Sequence, residues 1–161
     1  MAKAVALVSV LCIVALAAAS VAHAHQRNVF NIEGDVYCDP CRVQFHTELS
    51  KRIPGATVRL ECQNEETKAV TYSVEGLTNA DGHYSLRVDG DHEKDVCVVK
   101  AIKSPIAECS EPMTDVRESR IVCTNNIGMH SAVRFANPIG FMTKVGSPQC
   151  IPVLQDFFAD D

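Results

Sequence analysis

Polar and apolar residues alternate along three stretches in the middle of the chain, at residues 57–62, 70–75 and 84–89. Successive side chains of a β-strand point to opposite faces of a sheet, so alternation with a period of two indicates a strand with one buried face. A fourth stretch, residues 95–101, is richer in valine and predicts a more deeply buried strand. The centre of the chain is therefore predicted to be β-structure.

Turn-forming residues separate these predicted strands. Ile53-Pro54-Gly55 predicts a turn before the first strand, because proline fixes φ and glycine accepts a positive φ. The Asp-Gly pair within residues 79–82 supplies the same freedom, so residues 69–89 predict a β-hairpin. Ser104-Pro105 is predicted to end the fourth strand.

The remaining segments carry weaker signals. Phe45 and Leu49 have i, i+4 spacing, which predicts a short helical turn within residues 43–52, and the polar residues 110–118 predict another. Further strands are predicted at residues 120–123, 133–135 and 140–144, with a turn at 137–140. Short strands without long amphipathic helices predict an all-β fold, a single antiparallel β-sandwich or barrel of about seven strands.

The first 24 residues have the pattern of a secretory signal peptide. Lys3 precedes an apolar stretch, Ala4 to Ala19, and small residues follow as far as Ala22-His23-Ala24. We expect cleavage after Ala24, with Ala22 as the competing site. The apolar run is shorter than the ~20 residues that a membrane-spanning helix needs. The prediction is a secreted, extracellular domain, residues 25–161, without membrane insertion.

The charge composition excludes one class of partner. The formal net charge is −5, and no basic tract interrupts the sequence. Proteins that bind nucleic acid neutralise phosphates with clustered lysine and arginine residues. Nucleic acid is therefore not an expected partner.

The cysteines indicate structural disulfides. After loss of Cys12 with the signal peptide, seven cysteines remain: Cys38, Cys41, Cys62, Cys97, Cys109, Cys123 and Cys150. A zinc site made of two CxxC pairs would need a second CxxC, which the sequence lacks. A redox-active CxxC usually opens a helix within a βαβ unit, and no such pattern surrounds Cys38 and Cys41. An odd number leaves one cysteine free or bound to another molecule. We expect disulfides of the kind that stabilise secreted domains.

Other residues that could carry chemistry do not form recognised motifs. The acidic residues of 89–95 lack the full calcium-binding loop, and no serine lies in a GxSxG setting. The histidines that could bind metal or act as bases are His25, His46, His83, His92 and His130. His25 would be the new N-terminus and could chelate copper, but the favoured interpretation is that no catalytic, metal or cofactor site exists. Arg42 is expected to form a structural ion pair near the CxxC.

Residues 33–42 and several later landmarks resemble a known family. The signature residues are Glu33, Gly34, Val36, Tyr37, Cys38, Asp39, Cys41 and Arg42. The landmarks at 45–50, 53–56, 90–93 and 137–141 follow in the same order. Together they are similar to the olive-pollen major allergen family, Ole e I-like, over nearly the whole mature chain.

The resemblance implies a disulfide pairing that the residues alone leave open. The implied pairs are Cys38–Cys109, Cys41–Cys150 and Cys62–Cys97. Cys123 departs from the family's six-cysteine pattern and is expected to be unpaired. A monomer and a Cys123-linked dimer are both consistent with this arrangement.

The resemblance also implies a function. It is that of a secreted, non-enzymatic interaction or signalling protein of the apoplast or cell wall, allergen-like and linked to pollen or pollen-tube growth. A receptor-kinase ectodomain or a cell-wall component is the implied partner. Loops at 63–69, 89–95 and 125–132 are the candidate surfaces. The alternative is an extracellular enzyme or a protease inhibitor, for which residues 104–106 would be the inhibitory loop.

Overall fold

The computed structural model describes residues 29–128 and 131–159; the predicted signal peptide, His25 and His130 lie outside these ranges. Within them the chain forms ten strands and one helix. They are β1 (Val29–Asp39), β2 (Lys51–Arg52), β3 (Thr57–Asn64), β4 (Val70–Leu77), β5 (His83–Asp89), β6 (Asp95–Lys103), β7 (Cys109–Pro112), β8 (Glu118–Ile121), β9 (Val133–Phe135), β10 (Ile139–Thr143) and α1 (Cys150–Phe158).

The first sheet has six strands and is built around β1. This strand is 11 residues long and therefore reaches several neighbours. Its first half pairs with β5 in antiparallel and with β9 in parallel orientation. Its second half pairs with β2 in antiparallel and with β10 in parallel orientation, and β10 pairs in turn with β7.

The second sheet has four strands in the order β4-β3-β6-β8, and all of its pairings are antiparallel. The alternating residues of both sheets meet in one core, which explains the period of two in the sequence. The largest aliphatic and aromatic contributors include Ile32, Val36, Leu60, Tyr84, Leu86, Val99, Ile139 and Phe141. The prediction of an all-β fold with three disulfides is confirmed. The number of strands in the described residues is ten rather than about seven, because the structure includes additional short strands.

The predicted hairpin at residues 69–89 is wrong. The turn itself is present, since Asn79 and Gly82 form a hydrogen-bonded reversal and Gly82 has a φ of +73°. However, β4 pairs with β3 in the second sheet, whereas β5 pairs with β1 in the first. The turn carries the chain from one sheet to the other: Tyr84, Leu86 and Val88 of β5 are buried in the shared core, and the partly buried Tyr72 and Val74 of β4 pack against it.

The predicted helical turns are also wrong. Residues 43–50 form bends and a turn that lead into β2, and residues 110–118 are divided between β7, a bend and the start of β8. Phe45 packs against Phe157 of α1, with ring centroids 5.2 Å apart, so its apolar surface is covered by the far end of the chain. The helix α1 was not predicted. Its nine residues fall short of the length that would cross a bilayer.

Candidate functional site

The three disulfides connect different parts of the fold. Cys38–Cys109 connects β1 to β7, and Cys41–Cys150 connects the segment after β1 to the start of α1. Cys62–Cys97 joins residues that lie directly opposite each other on β3 and β6. These are the pairs that the resemblance implies, and Cys123 is left as a buried free thiol.

The signature residue Asp39 organises the segment after β1. Its carboxylate is fully buried and accepts four main-chain hydrogen bonds, from the N–H groups of Cys41, Arg42, Val43 and Gln44, at 2.7–3.0 Å. A carboxylate that accepts this many hydrogen bonds satisfies donors that would otherwise be buried without partners. The Asp39 carboxylate therefore stabilises the backbone conformation of residues 41–44.

Two further residues of this segment hold it against the first sheet. Arg42 forms an ion pair with Glu111 at 2.6 Å and donates to the carbonyl of Thr143, which is the structural role expected for it. The Gln44 side-chain oxygen accepts hydrogen bonds from the N–H groups of Thr114 and Asp115. Arg42 and Gln44 have φ values of +58° and +61°, so the backbone here adopts a left-handed conformation that the capping by Asp39 stabilises.

The other signature residues also lie in structural positions. Tyr84 of β5 lies directly opposite Gly34 of β1, and a Cβ at Gly34 would collide with its phenol ring. Val36 and Tyr37 are buried. Burial and the charge of Asp35 raise the pKa of Tyr84 above its ordinary value. The Gly34 position therefore requires the absence of a side chain.

The predicted surface loops 63–69 and 89–95, and residues 125–128 of the predicted loop 125–132, come together at one end of the second sheet; residues 129 and 130 lie outside the described ranges. Glu65 donates its N–H to the Lys94 carbonyl at 3.2 Å, and the Asn126 Nδ2 donates to the Glu93 carboxylate at 2.7 Å. We call residues 63–69, 89–95 and 122–128 the three-loop end. Sequence separation hides this proximity, because each loop follows or precedes a different strand.

Each loop of the three-loop end is also ordered internally. Asn64 Oδ1 accepts hydrogen bonds from the N–H groups of Glu66 and Thr67. Asp91 Oδ1 accepts from Glu93 N–H, and Thr124 Oγ1 accepts from Asn126 N–H. Side-chain-to-backbone bonds of this kind fix turns. The surface is therefore preorganised.

The three-loop end is acidic. Its first two loops carry five exposed carboxylates, Glu65, Glu66, Asp89, Asp91 and Glu93, against Lys68 and Lys94. A cleft of about 510 Å³ lies between these loops and is lined by Asn64, Glu65, Glu66, Glu93 and Lys94. An excess of exposed carboxylates around a concave surface favours a cationic partner.

A polar network lies beneath this surface. The Asp95 carboxylate contacts His92 Nδ1 at 3.1 Å and accepts a hydrogen bond from Thr71 at 2.7 Å. The His92 ring packs against Tyr72, and its Nε2 has no hydrogen-bond partner among residues 29–128 and 131–159. Asp89 pairs instead with Arg87, so the acidic residues of 89–95 point to different partners and do not converge as calcium ligands would.

The remaining candidate residues are dispersed. His83 lies between the carboxylates of Glu33 and Asp35, at 3.5 and 3.1 Å, on the opposite sheet. His46 packs against Tyr37. The structure therefore does not bring His46, His83 and His92 into one site.

The predicted inhibitory loop is curled. Cys109 N–H donates to the carbonyl of Ile106, and Ile106 N–H donates to Ser104 Oγ. Both bonds close the loop on itself. A protease inhibitor presents an extended segment that pairs with the enzyme as a strand does, and residues 104–106 do not have that form.

A groove of about 570 Å³ lies beside the Cys38–Cys109 disulfide. It is lined by Cys38, Pro40, Glu48, Leu49, Lys51, Ile106, Glu108, Cys109, Thr143, Ser147 and Gln149. No local sequence pattern predicts this groove, because its walls come from β1, the segment after it, the loop before β7 and the segment before α1. Its charged residues, Glu48, Lys51 and Glu108, are exposed.

Comparisons with known proteins agree with the fold and the signature. The family model described as "Pollen protein Ole e 1 like" matches residues 28–158. The anther-specific protein LAT52 of Solanum lycopersicum is 51% identical over 97% of this chain and 95% of its own length. The pollen allergen Che a 1 of Chenopodium album is 43% identical over 93% of this chain and 89% of its own.

A solved structure supports the same assignment. The crystal structure of the major plantain pollen allergen Pla l 1 superposes with a TM-score of 0.68 at 36% identity. It covers 76% of this chain and 99% of the plantain protein. None of the names of these relatives refers to an enzymatic activity. The chain belongs to the Ole e 1-like family of pollen proteins.

Proposed function

We propose that this chain is a secreted, non-enzymatic interaction protein of pollen, which binds a basic protein surface in the apoplast or cell wall through its three-loop end. The observation that carries the proposal is the joining of three sequence-distant loops into one preorganised acidic surface. Preorganised surfaces lose little conformational entropy on binding. Binding loops on a rigid scaffold are a common arrangement in proteins.

The disulfides support an extracellular location. Disulfides persist in oxidising compartments and are rare in the cytosol. This protein has three of them, and its sequence begins with an apolar segment that is predicted to direct export. Secretion into the apoplast is the location that fits both features.

The charge of the three-loop end selects between the two partner classes that the family resemblance implies. Acidic wall polysaccharides such as polygalacturonate would be repelled by the excess of carboxylates. A receptor-kinase ectodomain with a basic patch would be attracted. We therefore favour a protein partner over a cell-wall polysaccharide.

The proposed active form is a monomer. Cys123 is 2% exposed, so a disulfide to a second chain would require local opening of the core. A Cys123→Ser variant should therefore have the same mass in solution as the unsubstituted protein under non-reducing conditions.

The experiment uses three forms of the mature protein as baits for membrane and cell-wall extracts of pollen tubes. The loop variant carries Glu65→Gln, Glu66→Gln and Glu93→Gln, and the matched control carries Glu48→Gln, Glu108→Gln and Glu118→Gln, which change exposed glutamates elsewhere. Glutamine at 93 can still accept the hydrogen bond from Asn126. We expect one protein to be captured by the unsubstituted bait and the control, and lost from the loop variant.

The same three forms are applied to immobilised polygalacturonate and xyloglucan as defined polysaccharide probes. The proposal expects no retention on either. Retention of all three forms on a polysaccharide, or equal capture of the same proteins by all three baits, would overturn it.

A further inference from the structure

The three cysteines of the second sheet lie together at the base of the three-loop end. Cys62 is near the end of β3, Cys97 is near the start of β6, and Cys123 follows β8 by two residues. The three sulfur atoms lie within 4.8 Å of one another, and the residues are at most 2% exposed. A buried free thiol therefore faces a buried disulfide.

We propose that the Cys123 thiol is an internal nucleophile for the Cys62–Cys97 disulfide, so that the protein populates two disulfide isomers. The Cys123 thiolate attacks Cys97 Sγ, the Cys62–Cys97 bond breaks, and a Cys97–Cys123 bond forms. The electron pair of the broken bond leaves on Cys62, which takes up the proton that Cys123 gave up. One disulfide and one thiol are present before and after, so no oxidant or reductant is consumed.

The order of the strands selects the sulfur that is attacked. β6 lies between β3 and β8, and Cys97 is opposite Ile121, two residues before Cys123. Side chains two residues apart on an extended segment lie on the same face. The Cys123 thiolate is therefore placed to attack Cys97 Sγ, and Cys62 Sγ is the leaving group.

Charged and titratable groups lie near Cys123 on β9 and on residues 92–95. Arg134 of β9 is 2% exposed, and its partners are the carbonyls of Ser131 and Thr124 and the side-chain oxygen of Asn125, none of which carries negative charge. Its Nε has no hydrogen-bond partner among the described residues. On the other side, His92 donates its N–H to the Cys123 carbonyl, while its ring is paired with Asp95.

These surroundings set how the exchange depends on pH. Burial raises the pKa of Cys123 to about 12, and the positive charge of Arg134 opposes this rise. Only the thiolate attacks a disulfide. The exchange is therefore slow at neutral pH and accelerates about tenfold for each pH unit up to the pKa, because the thiolate fraction rises by that factor.

The exchange would change which loops are covalently tied. In the isomer described above, the disulfide joins β3 and β6, which are already paired along their length. In the other isomer it would join β6 to the segment that follows β8. The loop at 122–128 would then be anchored to the strand that carries loop 89–95. This inference goes beyond the proposed function and its test needs no partner.

The test follows the position of the free thiol in the full mature protein. Samples are kept without oxygen at about pH 7 and about pH 9, then quenched in acid, unfolded, labelled with N-ethylmaleimide and mapped by mass spectrometry after pepsin digestion. We expect label on Cys123 to decline while label on Cys62 and the Cys97–Cys123 peptide appear, faster at the higher pH. The rate should not depend on protein concentration.

Two controls keep the result interpretable. A Cys123→Ser variant should take up no label and keep the Cys62–Cys97 peptide. A Cys62→Ser variant, treated with oxidised glutathione, should form the Cys97–Cys123 disulfide and retain its circular dichroism spectrum.

Three outcomes would overturn the inference. They are label that remains on Cys123 at both pH values, scrambling that also involves Cys38, Cys41, Cys109 or Cys150, and a Cys62→Ser variant that yields only glutathione adducts.

Discussion

Asn126 donates a hydrogen bond from its Nδ2 to the Glu93 carboxylate at 2.7 Å, and so ties together two loops that are 33 residues apart in the sequence. Both residues are exposed, so the bond is not needed to fill the core. Its effect is to hold the loop after β8 against the loop before β6. The acidic surface depends on this kind of link.

Replacing Asn126 with alanine should loosen the three-loop end without unfolding the body. An exposed hydrogen bond contributes about 0.5–1.5 kcal/mol, and surface substitutions change global stability by about 0.5 kcal/mol. We expect the amides of residues 122–128 to exchange with solvent several-fold faster, with β3 and β6 unchanged. Hydrogen exchange with mass spectrometry measures this, and Asn137→Ala is a matched control at an exposed asparagine. Equal exchange in both variants would contradict the account.

Asp39→Ala should be strongly destabilising. The substitution removes the acceptor of four main-chain N–H groups, which would be left without partners in a part-buried segment. We expect a loss of about 2–4 kcal/mol in the free energy of unfolding. Guanidinium denaturation with the disulfides intact measures it. Asp91→Ala, which removes one exposed bond, should cost less than about 1 kcal/mol. Similar losses in the two variants would refute the role assigned to Asp39.

Gly34→Ala should be destabilising by about 1–3 kcal/mol, because the added methyl group overlaps the Tyr84 ring. Gly146→Ala is the control. A Cβ at Gly146 would lie 4.0 Å from its nearest neighbour, the Cys41 carbonyl oxygen, which is an ordinary contact. Thermal unfolding of both variants, followed by circular dichroism, tests the difference. A melting temperature for Gly34→Ala equal to that of Gly146→Ala would mean that the ring does not restrict this position.

Tyr84→Phe should change how stability depends on pH. The Tyr84 hydroxyl is buried and lacks a hydrogen-bond partner among the described residues, and burial raises its pKa. The pKa of Tyr84 in the folded state lies above its unfolded value of about 10, so ionisation of this phenol favours the unfolded state. Titration of Tyr84 therefore leaves the free energy of unfolding unchanged below about pH 10 and lowers it as the pH rises towards the folded-state pKa.

The slope of that loss is at most about 1.4 kcal/mol per pH unit. Urea denaturation in a Cys123→Ser background, which removes thiol exchange, should show stability falling above about pH 10 with Tyr84 and a shallower fall with phenylalanine. Near neutral pH the two proteins should be about equally stable, since the hydroxyl makes no bond that would be lost. Parallel curves above about pH 10 would contradict the assignment.

Local pattern was sufficient for several of the strands but not for β2 and β7, nor for the strands' partners. The alternation at residues 57–62 and 84–89 predicts β3 and β5, because one face of each strand is buried in the core. The Asn79–Gly82 turn predicts a reversal, but a turn does not determine whether the next strand joins the same sheet. The parallel pairing of β1 with β9 and β10 depends on residues about a hundred positions apart in the chain, which no local signal contains.

In the candidate site, too, local features were predicted from the sequence and long-range contacts were not. The individual loops were predicted as connections between strands, while their meeting depends on the antiparallel order of β3, β6 and β8. The role of Gln44, which binds a segment 70 residues away, had no sequence signal. The helix α1 was missed because its nine residues, with Pro152 near the start, are too few to give a long periodic pattern, and its position depends on the Cys41–Cys150 disulfide.

The most direct test of the central claim is a titration of the purified partner domain, once captured, against the three bait proteins. Isothermal calorimetry at two salt concentrations measures the affinity of each. We expect the Glu65→Gln, Glu66→Gln, Glu93→Gln protein to bind at least about tenfold more weakly and with a weaker salt dependence, and the Glu48→Gln, Glu108→Gln, Glu118→Gln protein to bind as the unsubstituted protein does. Equal affinity for all three proteins, or loss confined to the control, would contradict it.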